Sequence, residues 1–187
     1  MSFHLSSSLD PEAAFSGFSQ HGYAHIPNVL PSENANRIHK GLTEKTPWSL
    51  AFNDRDKHID VSATRLATMP KQSVNQLQHA IYVDAQATRY MPGHFLSTHD
   101  DAIEGKNRRA AYIFNFTPEW RLDWGGYLQL LDDAGHVRIG LVPSFNTLNI
   151  LAVPQRHNVS VVAPFAGGMR FAISGWFRYG EKPAMSR

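Results

Sequence analysis

Two helices are predicted near the start of the chain. Residues 10–12 (DPE) combine a side-chain acceptor for a helix cap, a proline for the first turn and an acid for the positive end of the helix. The apolar residues that follow continue this helix to Gly22, a residue type that commonly ends helices. Residues 23–30 (YAHIPNVL) then predict a short strand, and residues 31–33 (PSE) begin a second helix that ends near residue 41 or 42.

The middle of the chain has a less regular pattern. Residues 48–52 predict a further strand, and the polar run 53–58 (NDRDKH) predicts a loop. A third helix is expected from Lys71 to about Asp84, because the apolar residues of this segment recur at helical spacing. All three predicted helices therefore precede the strand-rich part of the chain.

From residue 87 onward, short apolar runs alternate with Gly, Pro and Asp turns. The runs are ATRYMPGHFLSTH, AAYIFNF, GYLQLL, HVRIGLV, TLNILAV, NVSVVAP and RFAISGWF. Short strands with regular turn signals are typical of an all-β sandwich or barrel core. Hairpin turns are predicted at residues 132–135 (DDAG) and 166–168 (AGG). Helices followed by a β-core predict one α+β domain over residues 1–187, with its β-core at about 87–178.

The composition is that of an ordinary globular protein, and it narrows the candidate partners. The 187 residues, of which 42% are hydrophobic and 18% charged, are enough to form a core. A formal net charge of +2 gives no reason to expect a nucleic-acid partner. No apolar run approaches the roughly 20 residues of a membrane span, and the N-terminus lacks a secretory signal. We therefore expect no membrane partner and a cytoplasmic location.

The candidate chemistry begins at residues 99–101, which read His-Asp-Asp. The chain has no cysteine, so a metal site would have to use histidine and carboxylate ligands. Side chains two positions apart in an extended chain lie on the same side, so His99 and Asp101 would face the same way. Asp100, the rival carboxylate, would point to the opposite face and be solvated or capping. A distant histidine, His157, would complete a two-histidine, one-carboxylate triad, which holds Fe(II) and leaves positions open for a co-substrate and oxygen.

The stretch from Tyr90 to Trp176 resembles the Fe(II)- and 2-oxoglutarate-dependent oxygenases, in particular their prolyl 4-hydroxylase-like branch. The segments that carry the resemblance, in the order of the family's motifs, are 90–101 (YMPGHFLSTHDD), 109–120 (RAAYIFNFTPEW), 124–130 (WGGYLQL), 143–146 (PSFN), 157–159 (HNV) and 170–177 (RFAISGWF). The resemblance implies a double-stranded β-helix, or jelly-roll, with the N-terminal helices packed on it and the metal near one open end. It also implies one oxygenase domain, with a helical and substrate-loop region at about 1–86.

The resemblance implies His99, Asp101 and His157 as the iron ligands. Three protein ligands are the number the chemistry allows, because iron also needs positions for the keto acid and for oxygen. The rival interpretation is a cupin-type metal-binding protein that does not use 2-oxoglutarate and acts as an isomerase, a dioxygenase or a sensor. Cupins typically add further histidines or a glutamate close to the first ligand, whereas this chain has His-x-Asp alone.

Four residues are implied at the 2-oxoglutarate site. Arg170 would bind the distal carboxylate, ideally with two nitrogens. Ser174 shares the face of Arg170 by strand alternation and could assist. Tyr90 matches a tyrosine near the co-substrate in this branch. Asn115 occupies the place of a tyrosine that helps to hold 2-oxoglutarate, and its amide can donate a hydrogen bond in the same way.

Three further features have a modest expected role. The basic cluster 106–109 (KNRR) is predicted to be a solvated loop, with a place at the substrate rim as the alternative. Trp120, Trp124 and Trp176 are expected to be core aromatic residues rather than groups that stack on a substrate. The long polar segment from Asn53 to Met69 is a candidate loop that covers the substrate.

The implied reaction hydroxylates a C–H bond and converts 2-oxoglutarate to succinate and CO2. Fe(II), 2-oxoglutarate and O2 would be required, and ascorbate is expected to stimulate turnover. The expected substrate is a prolyl residue in a peptide or protein. A free amino acid or another small molecule is the alternative substrate, because a chain of 187 residues has little room for a protein-docking domain. The oligomeric state is left open by the sequence.

Overall fold

Two antiparallel β-sheets pack against each other to form the body of the protein. The computed structural model describes residues 4–48, 50–54, 57–61 and 85–178. Its strands are β1 (Tyr23–Ile26), β2 (Leu50–Asp54), β3 (Lys57–Val61), β4 (Ala85–Tyr90), β5 (Leu96–His99), β6 (Arg108–Asn115), β7 (Leu128–Leu131), β8 (Val137–Leu141), β9 (Thr147–Ala152), β10 (His157–Val159) and β11 (Arg170–Arg178). Within the described residues, the larger sheet has the order β1-β9-β6-β11-β4 and the smaller sheet the order β5-β10-β7-β8. The predicted double-stranded β-helix is confirmed.

The N-terminal helices begin and end close to the predicted positions. Helix α1 spans Pro11–His21, and the side chain of Asp10 caps its first turn. Gly22, at a φ of +76°, ends the helix in a conformation that costs glycine little. Helix α2 spans Ser32–Glu44 and extends slightly beyond the predicted end. No helix in the described ranges is long and apolar enough to cross a membrane.

Helix α2 packs on the outer face of the larger sheet. Ala35 and Leu42 of this helix form a buried cluster with Phe116 and with Phe171 of β11. A second cluster lies between the two sheets and consists of Ala111, Leu128, Leu130, Leu141 and Leu151. The larger sheet therefore has an apolar cluster on each of its two faces, as expected for a sheet packed between two layers.

Part of one predicted loop lies in two paired strands. Residues 53–54 and 57–58, predicted as part of a polar loop, belong to β2 and β3, which form a separate two-stranded sheet. The register pairs Leu50 with Val61 and Phe52 with Ile59, so apolar residues alternate on both sides of the polar run. The sequence prediction missed this period-two alternation because the polar run separates Phe52 from Ile59. The predicted helix from Lys71 to about Asp84 lies outside the described residues.

The two predicted turns differ in outcome. Residues 132–135 join β7 to β8 as a hairpin, and the Gly135 N–H donates to the carbonyl of Asp132 at 3.1 Å. Residues 166–168 were also predicted as a hairpin turn, which is wrong, because they lead from β10 in one sheet to β11 in the other. Turn residues predict that the chain bends, whereas the sheet that the next strand joins is decided by long-range pairing.

Candidate metal centre and co-substrate pocket

Antiparallel pairing of two strands brings the two predicted histidine ligands side by side. His99 ends β5, His157 begins β10, and the register places them directly opposite each other. Their ring centroids lie 4.2 Å apart, with the ring planes at 54°. Two histidines that are far apart in the sequence thus share one end of the smaller sheet.

Backbone carbonyl groups fix the orientation of both imidazoles. The Nδ1–H of His99 donates to the carbonyl of Ser97 at 2.9 Å, and that of His157 donates to the carbonyl of Gln155 at 2.7 Å. A carbonyl oxygen can only accept, so the proton is on Nδ1 and the lone pair of each Nε2 is available to a metal. Burial lowers the pKa of His157, and the neighbouring His99 lowers it further, against the opposing effects of the Gln155 carbonyl and Asp101. The neutral form of His157, which binds metals, is therefore favoured.

Asp101 completes the group. Its Oδ1 lies 3.8 Å from Nε2 of His99, and its Oδ2 lies 3.7 Å from Nε2 of His157. One ligand atom from each of the three residues lies within 4.8 Å of the others, and no other such group of three occurs in the described part of the chain. Asp100 is exposed and accepts a hydrogen bond from the N–H of Ala102 at 3.1 Å, the capping role predicted for it. The structure thus favours Asp101 over Asp100 as the carboxylate of the site.

Arg170 is a buried cation on the inner face of the larger sheet. Arg170 is the first residue of β11 and is 2% exposed. The Nη2 group donates to Oδ1 of Asn115 at 3.2 Å, and the guanidinium carbon lies 5.1 Å from the ring centroid of Tyr90. The buried Nε has no hydrogen-bond partner among the described residues. Because a buried donor without a partner is costly, this nitrogen fits an incoming carboxylate such as that of 2-oxoglutarate.

Asn115 accepts a hydrogen bond from the guanidinium of Arg170. It is fully buried on β6, and its Nδ2 donates to Oγ1 of Thr147 at 3.1 Å while its Oδ1 accepts from Arg170. The sequence predicted Asn115 as a residue that helps to hold 2-oxoglutarate. The structure places its amide between Arg170 and Thr147, an arrangement that orients the guanidinium.

Of the two other predicted residues, Tyr90 lies beside the guanidinium of Arg170, whereas Ser174 lies opposite Ile113, further along the sheet. Tyr90 pairs with Arg170 in the register of β4 and β11, and its ring lies beside the guanidinium. Burial raises the pKa of Tyr90 above its ordinary value, against the opposing charge of Arg170, so the phenol stays neutral. Ser174 shares the face of Arg170 but lies opposite Ile113, beyond Asn115, and makes no hydrogen bond to Arg170 within the described part of the chain.

Two residues of the site escaped the sequence prediction. A Cβ atom on Gly126 would lie 3.5 Å from Cδ of Arg170 and 3.2 Å from side chains of Trp120 and Val162, so a side chain here would crowd the arginine, and the φ of +67° also favours glycine. Arg108, predicted as part of a solvated loop, instead begins β6 with its side chain 10% exposed. Its Nη1 lies 3.5 Å from Oδ1 of Asp101. The WGG motif marked the position of Gly126 in the sequence. No local pattern marked the contact between Arg108 and Asp101, because that contact forms only when the chain folds back.

Residues 85–178 match the sequence model of the 2OG-Fe(II) oxygenase superfamily. The chain is also 38% identical over 102 residues to the prolyl 3-hydroxylase OGFOD1 of Xenopus laevis, over 51% of this chain and 19% of that protein. The chain thus spans about a fifth of the length of this relative.

Solved structures show the same fold at low sequence identity. A prolyl-4-hydroxylase from Pseudomonas putida superposes with a TM-score of 0.67 at 17% identity, over 98% of this chain and all of that one. A prolyl hydroxylase from Trichoplax adhaerens, in complex with a peptide fragment of the hypoxia-inducible factor oxygen degradation domain, gives a TM-score of 0.65 at 17% identity, over 89% of this chain and 88% of that one. At such identities the likeness concerns the fold.

Proposed function

Because the chain belongs to the 2OG-Fe(II) oxygenase superfamily, we propose that it is a dioxygenase that hydroxylates a prolyl residue in a peptide or protein. The single observation that carries this proposal is the meeting of His99, Asp101 and His157 at one end of the smaller sheet. The relative from Xenopus laevis is named as a prolyl 3-hydroxylase, and the structure from Trichoplax adhaerens contains a peptide, which supports a peptide or protein substrate.

The residues present fit the metal and the co-substrate that this family uses. His99 and His157 would hold Fe(II) through Nε2, and Asp101 would hold it through its carboxylate. Bound Fe(II) and 2-oxoglutarate would together supply the oxidation of a C–H bond by O2, with release of succinate and CO2. Arg170 would bind the distal carboxylate of 2-oxoglutarate, and Tyr90, as a neutral phenol, would leave the charge of that arginine available.

The buried arginine argues against the cupin alternative. A metal-binding jelly-roll that does not use 2-oxoglutarate has no need for a buried cation with an unsatisfied nitrogen on the inner face of its sheet. The described residues also provide no fourth histidine or glutamate beside His99, Asp101 and His157. Both observations favour a keto acid as the partner of the metal.

Succinate formation tests the reaction class. The purified protein is incubated in air with Fe(II), ascorbate, 2-oxoglutarate and a proline-containing peptide pool, alongside His99→Ala and Arg170→Ala variants. We expect succinate from the wild type, none from His99→Ala, and a raised 2-oxoglutarate requirement for Arg170→Ala. If the metal-loaded wild type neither formed succinate nor bound 2-oxoglutarate in calorimetry, the proposal would be wrong and the cupin interpretation would replace it.

A second assay separates the candidate substrates. The same reactions are run under oxygen-18 gas with either the peptide pool or free amino acids, and products are analysed by mass spectrometry. We expect the label in proline residues of peptides, and fragmentation then assigns the hydroxyl to carbon 3 or carbon 4. Label in free amino acids alone would replace the peptide substrate by a small molecule.

A further inference from the structure

Arg108 connects the carboxylate of the metal site to Trp176, which packs on the apolar core between the sheets. Its Nη1 lies 3.3 Å from the carbonyl oxygen of Asp101 and 3.5 Å from Oδ1 of the same residue. Its guanidinium carbon lies 3.6 Å from the ring centroid of Trp176. Trp176 in turn packs against the buried cluster between the two sheets. The arginine is thus held by an aromatic face on one side and directed at the carboxylate on the other.

The position of this contact matters because a carboxylate can bind a metal through one oxygen or through both. A three-residue iron site needs one donor atom from each ligand, since the other positions receive the co-substrate and oxygen. In Asp101, Oδ1 lies 3.5 Å from Nη1 of Arg108 and 3.8 Å from Nε2 of His99, whereas Oδ2 lies 3.7 Å from Nε2 of His157. A metal bound through both oxygens would compete with Arg108 for Oδ1, in an ion pair whose side chains are 10% and 8% exposed, and weakening a buried pair is costly.

We propose that Arg108 is a positioning residue that keeps Asp101 a one-oxygen ligand, and that the stack on Trp176 sets the plane of the guanidinium for this task. The inference rests on the proposed Fe(II) site. An arginine is required because a planar guanidinium can stack on an indole and donate along its edge at the same time, which the ammonium of a lysine cannot do.

The test measures Mn(II) binding by calorimetry to the wild type and to the variants Arg108→Gln, Arg108→Lys and Arg138→Gln. Arg138 is an exposed arginine on β8, the edge strand of the sheet that carries both histidines, so its substitution is a control for the loss of one positive charge. We expect Arg108→Gln to weaken Mn(II) binding about 10- to 100-fold, the usual effect of removing the hydrogen-bond partner of a metal ligand. Arg108→Lys should lie between this variant and the wild type, and Arg138→Gln should bind like the wild type.

A second readout distinguishes positioning from a general loss of structure. With Mn(II) at saturation, Arg108→Gln should also bind 2-oxoglutarate more weakly than the wild type, because a carboxylate bound through both oxygens occupies a position that the keto acid needs. An Arg108→Gln protein that melts like the wild type and binds both Mn(II) and 2-oxoglutarate like the wild type would overturn the inference. If Arg108→Gln does not fold, the same two binding measurements are made on the charge-conserving Arg108→Lys. Binding of both Mn(II) and 2-oxoglutarate like the wild type would then overturn the inference. A wild type that binds neither Mn(II) nor Fe(II) would overturn the proposed function itself, so the two failures are distinguishable.

Discussion

The buried guanidinium of Arg170 is the most demanding single group in the candidate site. Burial lowers the pKa of this arginine, and only the neighbouring Tyr90 opposes the shift. A buried cation is tolerated when its donors are satisfied, and Asn115 satisfies one of them. A carboxylate from outside the chain would satisfy the buried Nε, which is why this arginine fits a binding role better than a purely structural one.

Substitution of Asn115 tests its role in orienting Arg170. Removing one partner of a buried charged group costs roughly 1–3 kcal/mol. We therefore expect Asn115→Ala to raise the KM for 2-oxoglutarate by about tenfold or more, with a smaller effect on kcat at saturation. The control is Asn149→Ala, which removes another buried asparagine, bonded to His25 at 2.6 Å and not to the arginine. Equal KM values in both variants would contradict an orienting role.

Gly126 provides a prediction about packing behind the same guanidinium. Gly126→Ala introduces a methyl group 3.2 Å from Trp120 and Val162, and it does so at a φ of +67°. The matched control is Gly135→Ala, which has a φ of +90° and no atom within 4 Å of the new methyl group. Both variants place alanine in a left-handed backbone conformation, which destabilises the fold. Only Gly126→Ala also overpacks the site, which lowers the free energy of unfolding by a further amount of about 1–3 kcal/mol. Urea unfolding of the two variants gives the difference, and equal stabilities would show that the pocket can relax.

At the scale of the elements, local signals determined the helices and long-range pairing determined the strands. The cap at Asp10 and the stop at Gly22 bound α1 as predicted. Residues 53–54 and 57–58 of the polar run were predicted as a loop but belong to the paired strands β2 and β3, because strand pairing depends on the partner strand as well as on the run itself.

The β2–β3 strand pair overlaps the segment from Asn53 to Met69 that was predicted to cover the substrate, and it allows that prediction to be tested. Because these strands form their own two-stranded sheet, replacing residues 50–61 by a short Gly-Ser linker leaves both core sheets with all their strand pairs. We expect turnover of the peptide substrate to fall by about an order of magnitude or more, because an active-site cover commits the substrate to the reaction. Binding of 2-oxoglutarate should be unchanged in calorimetry. Peptide turnover at the wild-type rate would refute the covering role.

At the scale of the whole molecule, the three candidate ligands connect parts of the chain that are distant in sequence. His99 and Asp101 lie at and just beyond the end of β5, whereas His157 begins β10. A metal bound by all three would therefore stabilise the folded chain, because the unfolded chain lacks the assembled site.

Thermal unfolding with and without metal measures this coupling. Mn(II) at about 100 times its Kd should add about 2.7 kcal/mol to the free energy of unfolding. For a chain of this size, each kcal/mol raises Tm by about 2–4 °C. Chelation with EDTA should reverse the rise, and His157→Ala should abolish it. A rise of the same size in His157→Ala would place the metal elsewhere.

A single cooperative transition in these unfolding curves would also fit the predicted single domain.

The sequence alone determined the features that depend on neighbouring residues. The alternation of an extended chain placed His99 and Asp101 on one side, and the cap and turn residues placed α1 and the β7–β8 turn. The tertiary structure decided which distant residues meet: His157 opposite His99, and Arg108 against Asp101. Local spacing constrains only the residues within a few positions, whereas register between strands and contacts between sheets are set by the packing of the whole core.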